Sequence, residues 1–249
     1  MSSDLSYQED LAWVHHQAFG EYPERAARGI VALLQDGGLP PGACVLDVGC
    51  GSGHLAAVLL SAGFRVLGVD ASPEMVALAR RHTPGARFEV VRLPTGLAPG
   101  AAGGLPLADA VVSTGHVLNY LPSPPELERG MAELAGAVRP GGLLALDLMT
   151  ERFARSRLAS PPVARVEEDW AIVVRSSRPA ARRLDRQITL FRREGDRWRR
   201  TDELHRHLTC EASEAITLLR AQGIEAEERA SFGDEPTLEG VTVVVGRRR

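Results

Sequence analysis

The stretch Val45-Leu46-Asp47-Val48-Gly49-Cys50-Gly51-Ser52-Gly53-His54 sets an acid ahead of three alternating glycines, between an apolar run and a helical pattern. Glycines at such a turn let backbone approach a ligand with no Cβ atoms in the way, and the unbonded N–H groups of the following helix point at whatever lies there. A second acid, Asp70, ends the next apolar run, where a carboxylate is placed to accept both hydroxyls of a ribose. A dinucleotide fingerprint asks for a third small residue where His54 stands. An acid at the mouth of the turn repels a pyrophosphate and suits a ligand that carries an amino group. A nucleoside joined to an amino acid meets both demands.

The elements that must position these residues follow from periodicity. Between 42 and 147 short apolar runs alternate with helical patterns, the mark of a parallel sheet flanked by helices. Strands are predicted over 43–48, 65–69, 87–91, 107–113 and 143–147. Helices are predicted over 52–62, over 73–82 with Ser72 as cap, and after a capping box at Ser123-Pro124-Pro125-Glu126. Pro140-Gly141-Gly142 should end that last helix, and the Gly- and Pro-rich segment 93–106 reads as a mobile surface connection. Beyond Thr150 the pattern changes to three β-like runs over 166–176, 184–193 and 197–208, the last two joined by Gly195-Asp196 as a hairpin. A helix over 211–222, with Thr209 as cap, and a closing antiparallel pair over 224–232 and 240–246 complete the chain. The fold class expected is α/β: a Rossmann-like, seven-stranded, mostly parallel sheet with helices on both faces, plus antiparallel strands inserted between the fifth strand and the last helix.

Composition narrows the chemistry. The 249 residues are 44% hydrophobic with a net charge of -3, so no overall cationic field draws the molecule to nucleic acid or anionic lipid. All 29 basic residues are arginine, which excludes Schiff-base lysine chemistry and a phosphate-loop lysine. The three cysteines, Cys44, Cys50 and Cys210, have neither disulfide-framework nor zinc-knuckle spacing. No signal-like start and no apolar run near the roughly 20 residues of a membrane span is found, so a cytoplasmic protein with no membrane partner is expected.

On these residues the chain resembles the class I methyltransferases that use S-adenosylmethionine. The resemblance is carried by LDVGCGSG (46–53), GVDASPEMVALAR (68–80), LADAVVSTGHVLNYL (107–121) and VRPGGLLALDL (138–148), in the family's order and spacing over residues 42–150. More loosely, 7–20 and 202–227 are similar to a bacterial subgroup of small-molecule methyltransferases. The resemblance implies that Gly49, Cys50, Gly51 and Gly53 line the turn under the cofactor, and that Asp47 holds the turn and the cofactor ammonium. It further implies that Asp70 binds the ribose, that Ala71, Ser72 and Met75 border the adenine, and that Thr114 completes the cofactor side. Many relatives place an aspartate after the third strand; here Val91-Arg92-Leu93-Pro94 stands there, leaving backbone near Arg92 and Leu93 for the adenine. Residues 1–41 are then a helical cap over the active site, 42–150 the cofactor core, 151–208 a substrate wall or lid, and 209–249 the closing helix and strand pair.

The function expected is methyl transfer from S-adenosylmethionine, leaving S-adenosylhomocysteine, to an oxygen or nitrogen of a small molecule. A sensor or partner domain without turnover, or an RNA or protein methyltransferase, are the other readings, nucleic acid being disfavoured by charge. Where the acceptor must lose a proton, His116, at the carboxyl end of the fourth strand, is the candidate base; its other reading is a residue that closes the turn. Asn119 and Tyr120 could orient the acceptor, and Tyr7 and His15 could reach it from the N-terminal segment, against the alternative that they only pack. His205, His207 and Glu203 superficially suggest a metal site, but a wet sheet face is the expectation and no metal is assigned. A monomer or homodimer is expected.

Overall fold

The computed structural model describes residues 6–249; residues 1–5 of the expected N-terminal cap lie outside the described residues. Two helices open the chain, α1 (Glu9–Ala18) and α2 (Glu21–Asp36). The core alternates β1 (Cys44–Val48), α3 (His54–Ser61), β2 (Arg65–Asp70), α4 (Pro73–His82), β3 (Arg87–Val90), β4 (Ala108–Ser113), α5 (Pro124–Ala137) and β5 (Val138–Met149). Then come α6 (Glu151–Ala159) and four strands, β6 (Val163–Val166), β7 (Trp170–Ser177), β8 (Arg183–Glu194) and β9 (Arg197–Leu208). The chain closes with α7 (Ala212–Ala221), β10 (Ile224–Arg229) and β11 (Val241–Arg248).

Seven strands form one sheet in the order β10-β11-β5-β4-β1-β2-β3, with only β11 running against its neighbours. The chain builds β1, β2 and β3 in one direction and then places β4 on the other side of β1, so the strand order reverses between β1 and β4. In open α/β sheets the ligand crevice lies outside the carboxyl ends of the strands at such a reversal. Period-2 alternation splits β1 between two cores: Leu46 and Val48 pack with Met131, Leu134 and Leu219, while Val45 packs with Ile30, Leu34 and Leu59.

The second sheet, β6-β7-β8-β9, is antiparallel throughout. Trp170, Ile172, Ile188 and Leu190 cover one end of its inner face and pack on Leu11 and Val14 of α1. Asp10 on the same helix is buried, and Arg192 and Arg199 pair with it. α1 is thus fixed to the inserted sheet by an apolar stripe and a two-arginine clamp. The other end of that inner face belongs to the candidate site.

Several local expectations need correction. The helix α6 was not foreseen, because only Phe153 and Ala154 of its nine residues are buried and its arginine content blurs the helical period. The exposed edge strand β6 was likewise missed, and β7 starts at Trp170 rather than 166. Pro140-Gly141-Gly142 does not mark the end of α5, which stops at Ala137; it lies within β5, where the pairing with β4 shifts register between Ala108 and Ala110. The cap of α7 is Glu211, while Thr209 bonds backward to the Arg182 carbonyl. The 93–106 connection has no regular structure, yet the Glu133 carboxylate ties it to α5 by accepting from the N–H groups of Thr95 and Gly96, both at 2.8 Å.

Candidate active site

β1 delivers Asp47 to the centre of the sheet, where its carboxyl is 1% exposed and neither oxygen has a hydrogen-bond partner. Burial, reinforced by the nearby Asp70, pushes this carboxyl up to about 8. A buried acid with four unfilled lone-pair positions is a place for a cation or a donor supplied from outside. The turn beyond it is held to β2, because the N–H groups of Gly49 and Cys50 both donate to the Val69 carbonyl, at 2.7 and 3.0 Å. Gly49 has φ +73, and a Cβ there would stand 2.1 Å from Val117. A Cβ on Gly51 would meet nothing within 4 Å, so that side of the turn is an open cradle.

Asp70 completes the cradle. One of its oxygens accepts from the Gly51 N–H and the other from the Ser72 N–H, each at 2.9 Å, leaving a further lone pair on each oxygen for hydroxyls. Burial raises its carboxyl and these N–H groups partly offset the rise. Ser72 caps α4 by accepting from the Met75 N–H at 3.1 Å. Met75 and Cys50 are buried beside it, Ala71 and Leu93 are half-buried, Arg92 is exposed, and Thr114 is buried at the end of β4. Burial drives the Cys50 thiol well above its ordinary value, so it is no nucleophile.

After β4 the chain turns through Gly115 and His116, the latter at φ +65, into a short 3-10 turn at Val117–Tyr120. The turn is shaped by Asp147 on β5, which accepts the N–H of His116 at 2.7 Å, the N–H of Gly115 at 3.1 Å and the Tyr22 hydroxyl at 2.5 Å. The His116 ring nitrogen Nδ1 lies 3.5 Å from the same carboxylate, near enough for ion pairing but without a hydrogen bond. Burial alone would raise Asp147; the His116 charge and the bonds from His116 and Tyr22 outweigh it and hold the carboxyl below its usual range. Neither Asp147 nor Tyr22 was singled out from sequence. Asp147 reads as one more residue of a buried strand, and Tyr22 reaches it from α2 across 125 positions.

Tyr7, His15 and Tyr120 are brought together, and β9 adds residues to them. The Tyr7 and Tyr120 hydroxyls are 3.4 Å apart, and the Tyr7 ring lies 5.1 Å from His15 and 4.9 Å from His205. The Glu203 carboxylate accepts the N–H groups of Tyr7 and Gln8, at 2.7 and 2.9 Å, and faces Nε2 of His205 at 2.9 Å. With Nε2 donating to a carboxylate, Nδ1 of a neutral His205 ring accepts from the Tyr120 hydroxyl at 2.9 Å. The Tyr7 carbonyl in turn accepts from Ser72 Oγ at 2.8 Å, so one residue joins the cofactor-side loop to the inserted sheet. Burial raises both phenols and lowers His15 to about 4.

Two expectations change here. His205 and His207 are 1% and 0% exposed, not a wet face: the inner surface of β9 is covered by Tyr7 and Tyr120. Asn119 does not reach open space; its amide donates to the carbonyls of Met149 and Leu208 and accepts from the Met149 N–H, pinning β5 to β9. Among the described residues no group of three or more His, Cys, Asp or Glu side chains is arranged to hold a metal ion. No described helix is long and apolar enough to cross a membrane.

The reversed strand order, the glycine turn over an unpartnered buried acid and the second acid at the end of β2 fit an adenosyl amino acid such as S-adenosylmethionine. The family comparison agrees: residues 45–142 match the model of a methyltransferase domain. A Geobacillus protein (strain WCH70) that carries a methyltransferase name is 26% identical over 232 residues, 91% of this chain and 93% of its own. A ubiquinone biosynthesis O-methyltransferase of Paramagnetospirillum magneticum is 31% identical over 180 residues, covering 66% of this chain and 69% of its own. Among solved structures, an S-adenosylmethionine-dependent methyltransferase from Clostridium acetobutylicum superposes with a TM-score of 0.80 at 15% identity, over 96% of this chain and 98% of its own. A sugar N-methyltransferase from Streptoalloteichus sp. ATCC 53650 gives 0.76 at 21% identity, over 98% and 94%. The chain belongs to the class I S-adenosylmethionine-dependent methyltransferases.

Proposed function

We propose that the chain methylates an oxygen or nitrogen of a small molecule, with His116 receiving the proton that the acceptor loses. The observation that carries this reading is the turn after β4, which opens on a buried imidazole, His116, beside the Asp147 carboxylate and ends on Tyr120, whose hydroxyl reaches Tyr7 and His205. When bound, S-adenosylmethionine supplies a methyl group on a positively charged sulfur. Asp47 and the glycine turn would hold its amino-acid end and Asp70 its sugar. The chain's remaining task is to position the acceptor and exclude water, which by itself accounts for much of the rate of such a displacement. His116 adds proton removal: Asp147, anchored by Gly115, His116 and Tyr22, stands ready to stabilise the imidazolium that forms. The names of the relatives, an O-methyltransferase and a sugar N-methyltransferase, support both acceptor atoms.

Calorimetry with S-adenosylhomocysteine, followed by a methyl-release assay over a panel of hydroxylated and amino metabolites, tests this. Binding followed by turnover is expected, and His116→Ala should lower turnover by about 10²-fold or more while cofactor binding persists. Full turnover in the variant would remove His116 from the proton step. Tight binding with no turnover on any acceptor would favour a cofactor sensor.

A further inference from the structure

Residues directly opposed in an antiparallel ladder share one face of the sheet. Ser176, Arg186 and His205 form one such rung of the inserted sheet, and Leu184 and His207 the next. His205 is the residue bonded to Tyr120 and packed edge-on against Tyr7, so Arg186 stands on the face that carries the proposed acceptor wall. Its charge acts on Tyr7, His15, Tyr120 and His207 together.

Arg186 is half-buried and makes no hydrogen bond or ion pair with any described residue. Arg192 and Arg199, on the same face, are committed to Asp10. Of the carboxylates on the same face, Glu194 at the far end of β8 pairs with Arg199, and Glu203 is engaged by the Tyr7 and Gln8 N–H groups and by His205. The neighbouring imidazoles supply no anion either. Burial first, then surrounding positive charge, keeps His15 and His207 neutral, and His15 Nδ1 and His207 Nε2 are buried without partners. An unpaired guanidinium removed from part of its water, among hydroxyls and neutral rings, is electrostatically incomplete. The planar fork of arginine is completed best by a carboxylate or a phosphate.

We propose that Arg186 is the anion subsite of the acceptor pocket, so that the methyl acceptor carries a carboxylate or phosphate group held by this guanidinium. The assignment of that anion to the acceptor rests on the methyl-transfer reading; the existence of the subsite does not. The test is calorimetric titration of the full chain, saturated with S-adenosylhomocysteine, with glutarate, with its neutral counterpart glutaramide, and with inorganic phosphate. At least one anion should bind at least about tenfold more tightly than glutaramide. Arg186→Gln should weaken that binding at least about tenfold, with Arg186→Lys falling between because a point charge replaces the fork. Arg197→Gln, at the exposed hairpin tip, should leave it unchanged. Preference for glutarate assigns a carboxylate acceptor, and preference for phosphate a phosphorylated one. Anions no tighter than glutaramide, or equal binding in the wild type and Arg186→Gln, would overturn the proposal. The S-adenosylhomocysteine titration of each variant reports its folding, and if Arg186→Gln does not fold the comparison is made with Arg186→Lys. A wild type that fails to bind S-adenosylhomocysteine would defeat the methyltransferase reading instead, and the anion titration of the free chain then still decides the subsite.

Discussion

Asp47 concentrates the electrostatics of the cofactor side in one residue. Its carboxyl is raised to about 8 from an ordinary value of 3.8, so the stability that goes with the neutral form is complete below about pH 4 and lost as the pH climbs through 8. Asparagine at this position cannot ionise. The melting temperature of Asp47→Asn relative to wild type should therefore rise steadily from pH 4 to pH 8, by about 3 °C for each kcal/mol of relieved burial. Thermal melts across that range, without ligand, measure it. The same variant should bind S-adenosylmethionine at least about tenfold more weakly at pH 8, because a charged partner for the ammonium is gone. A flat difference between pH 4 and 8 would mean that the acid is solvated after all. The carboxylate that destabilises the empty protein is thus the one proposed to hold the cofactor ammonium.

At the scale of elements, the glycine turn works only because it fits against the turn that follows β4. Gly49 has φ +73, which a side chain adopts at a cost, and its missing Cβ makes room for Val117, whose Cγ2 would otherwise be 2.1 Å away. Gly49→Ala should destabilise the chain by about 2 kcal/mol or more and abolish measurable binding of S-adenosylhomocysteine. Adding Val117→Ala should restore part of the stability, since it removes the clash and leaves the dihedral strain. Urea unfolding of the single and double variants separates the two contributions. Equal stability of the two would show that the backbone conformation alone requires glycine.

Across the whole molecule, the two sheets meet where Leu184 packs with Met149 and Val241 and Leu208 enters the main core, and Asn119 is the buried polar link at that junction. Its three hydrogen bonds tie the carboxyl end of β5 to the end of β9. Asn119→Ala removes the partner of the Met149 N–H and of the Leu208 carbonyl, while the Met149 carbonyl keeps the Cys210 N–H, at about 1–3 kcal/mol for each group left unsatisfied. A single calorimetric transition is expected for the wild type. The variant should show two, the inserted sheet melting first. One transition at lower temperature would instead mean that α1, held between the inserted sheet and α4, suffices to keep the unit cooperative.

The features visible in the chain alone are those set by near neighbours. Alternating apolar runs, glycines at a turn and an acid at a strand end lie within a few positions of one another, and their steric and hydrogen-bonding demands reach no further; the core strands β1 to β4 and the cofactor cradle follow from them. Tyr22, Asp147, Glu203 and Arg186 carry no such local signal. Tyr22 reads as an ordinary helical aromatic, and Glu203 and His205 as solvated residues on an alternating strand, until β9 folds over Tyr120 and excludes the water. Burial, pairing and the absence of a partner depend on contacts between segments that local pattern does not connect, such as the bond between Tyr22 and Asp147, 125 positions away. The glycine turn and its two acids were therefore legible from spacing, whereas the proposed acceptor side depends on the convergence of the N-terminal segment, the turn after β4 and the inserted sheet.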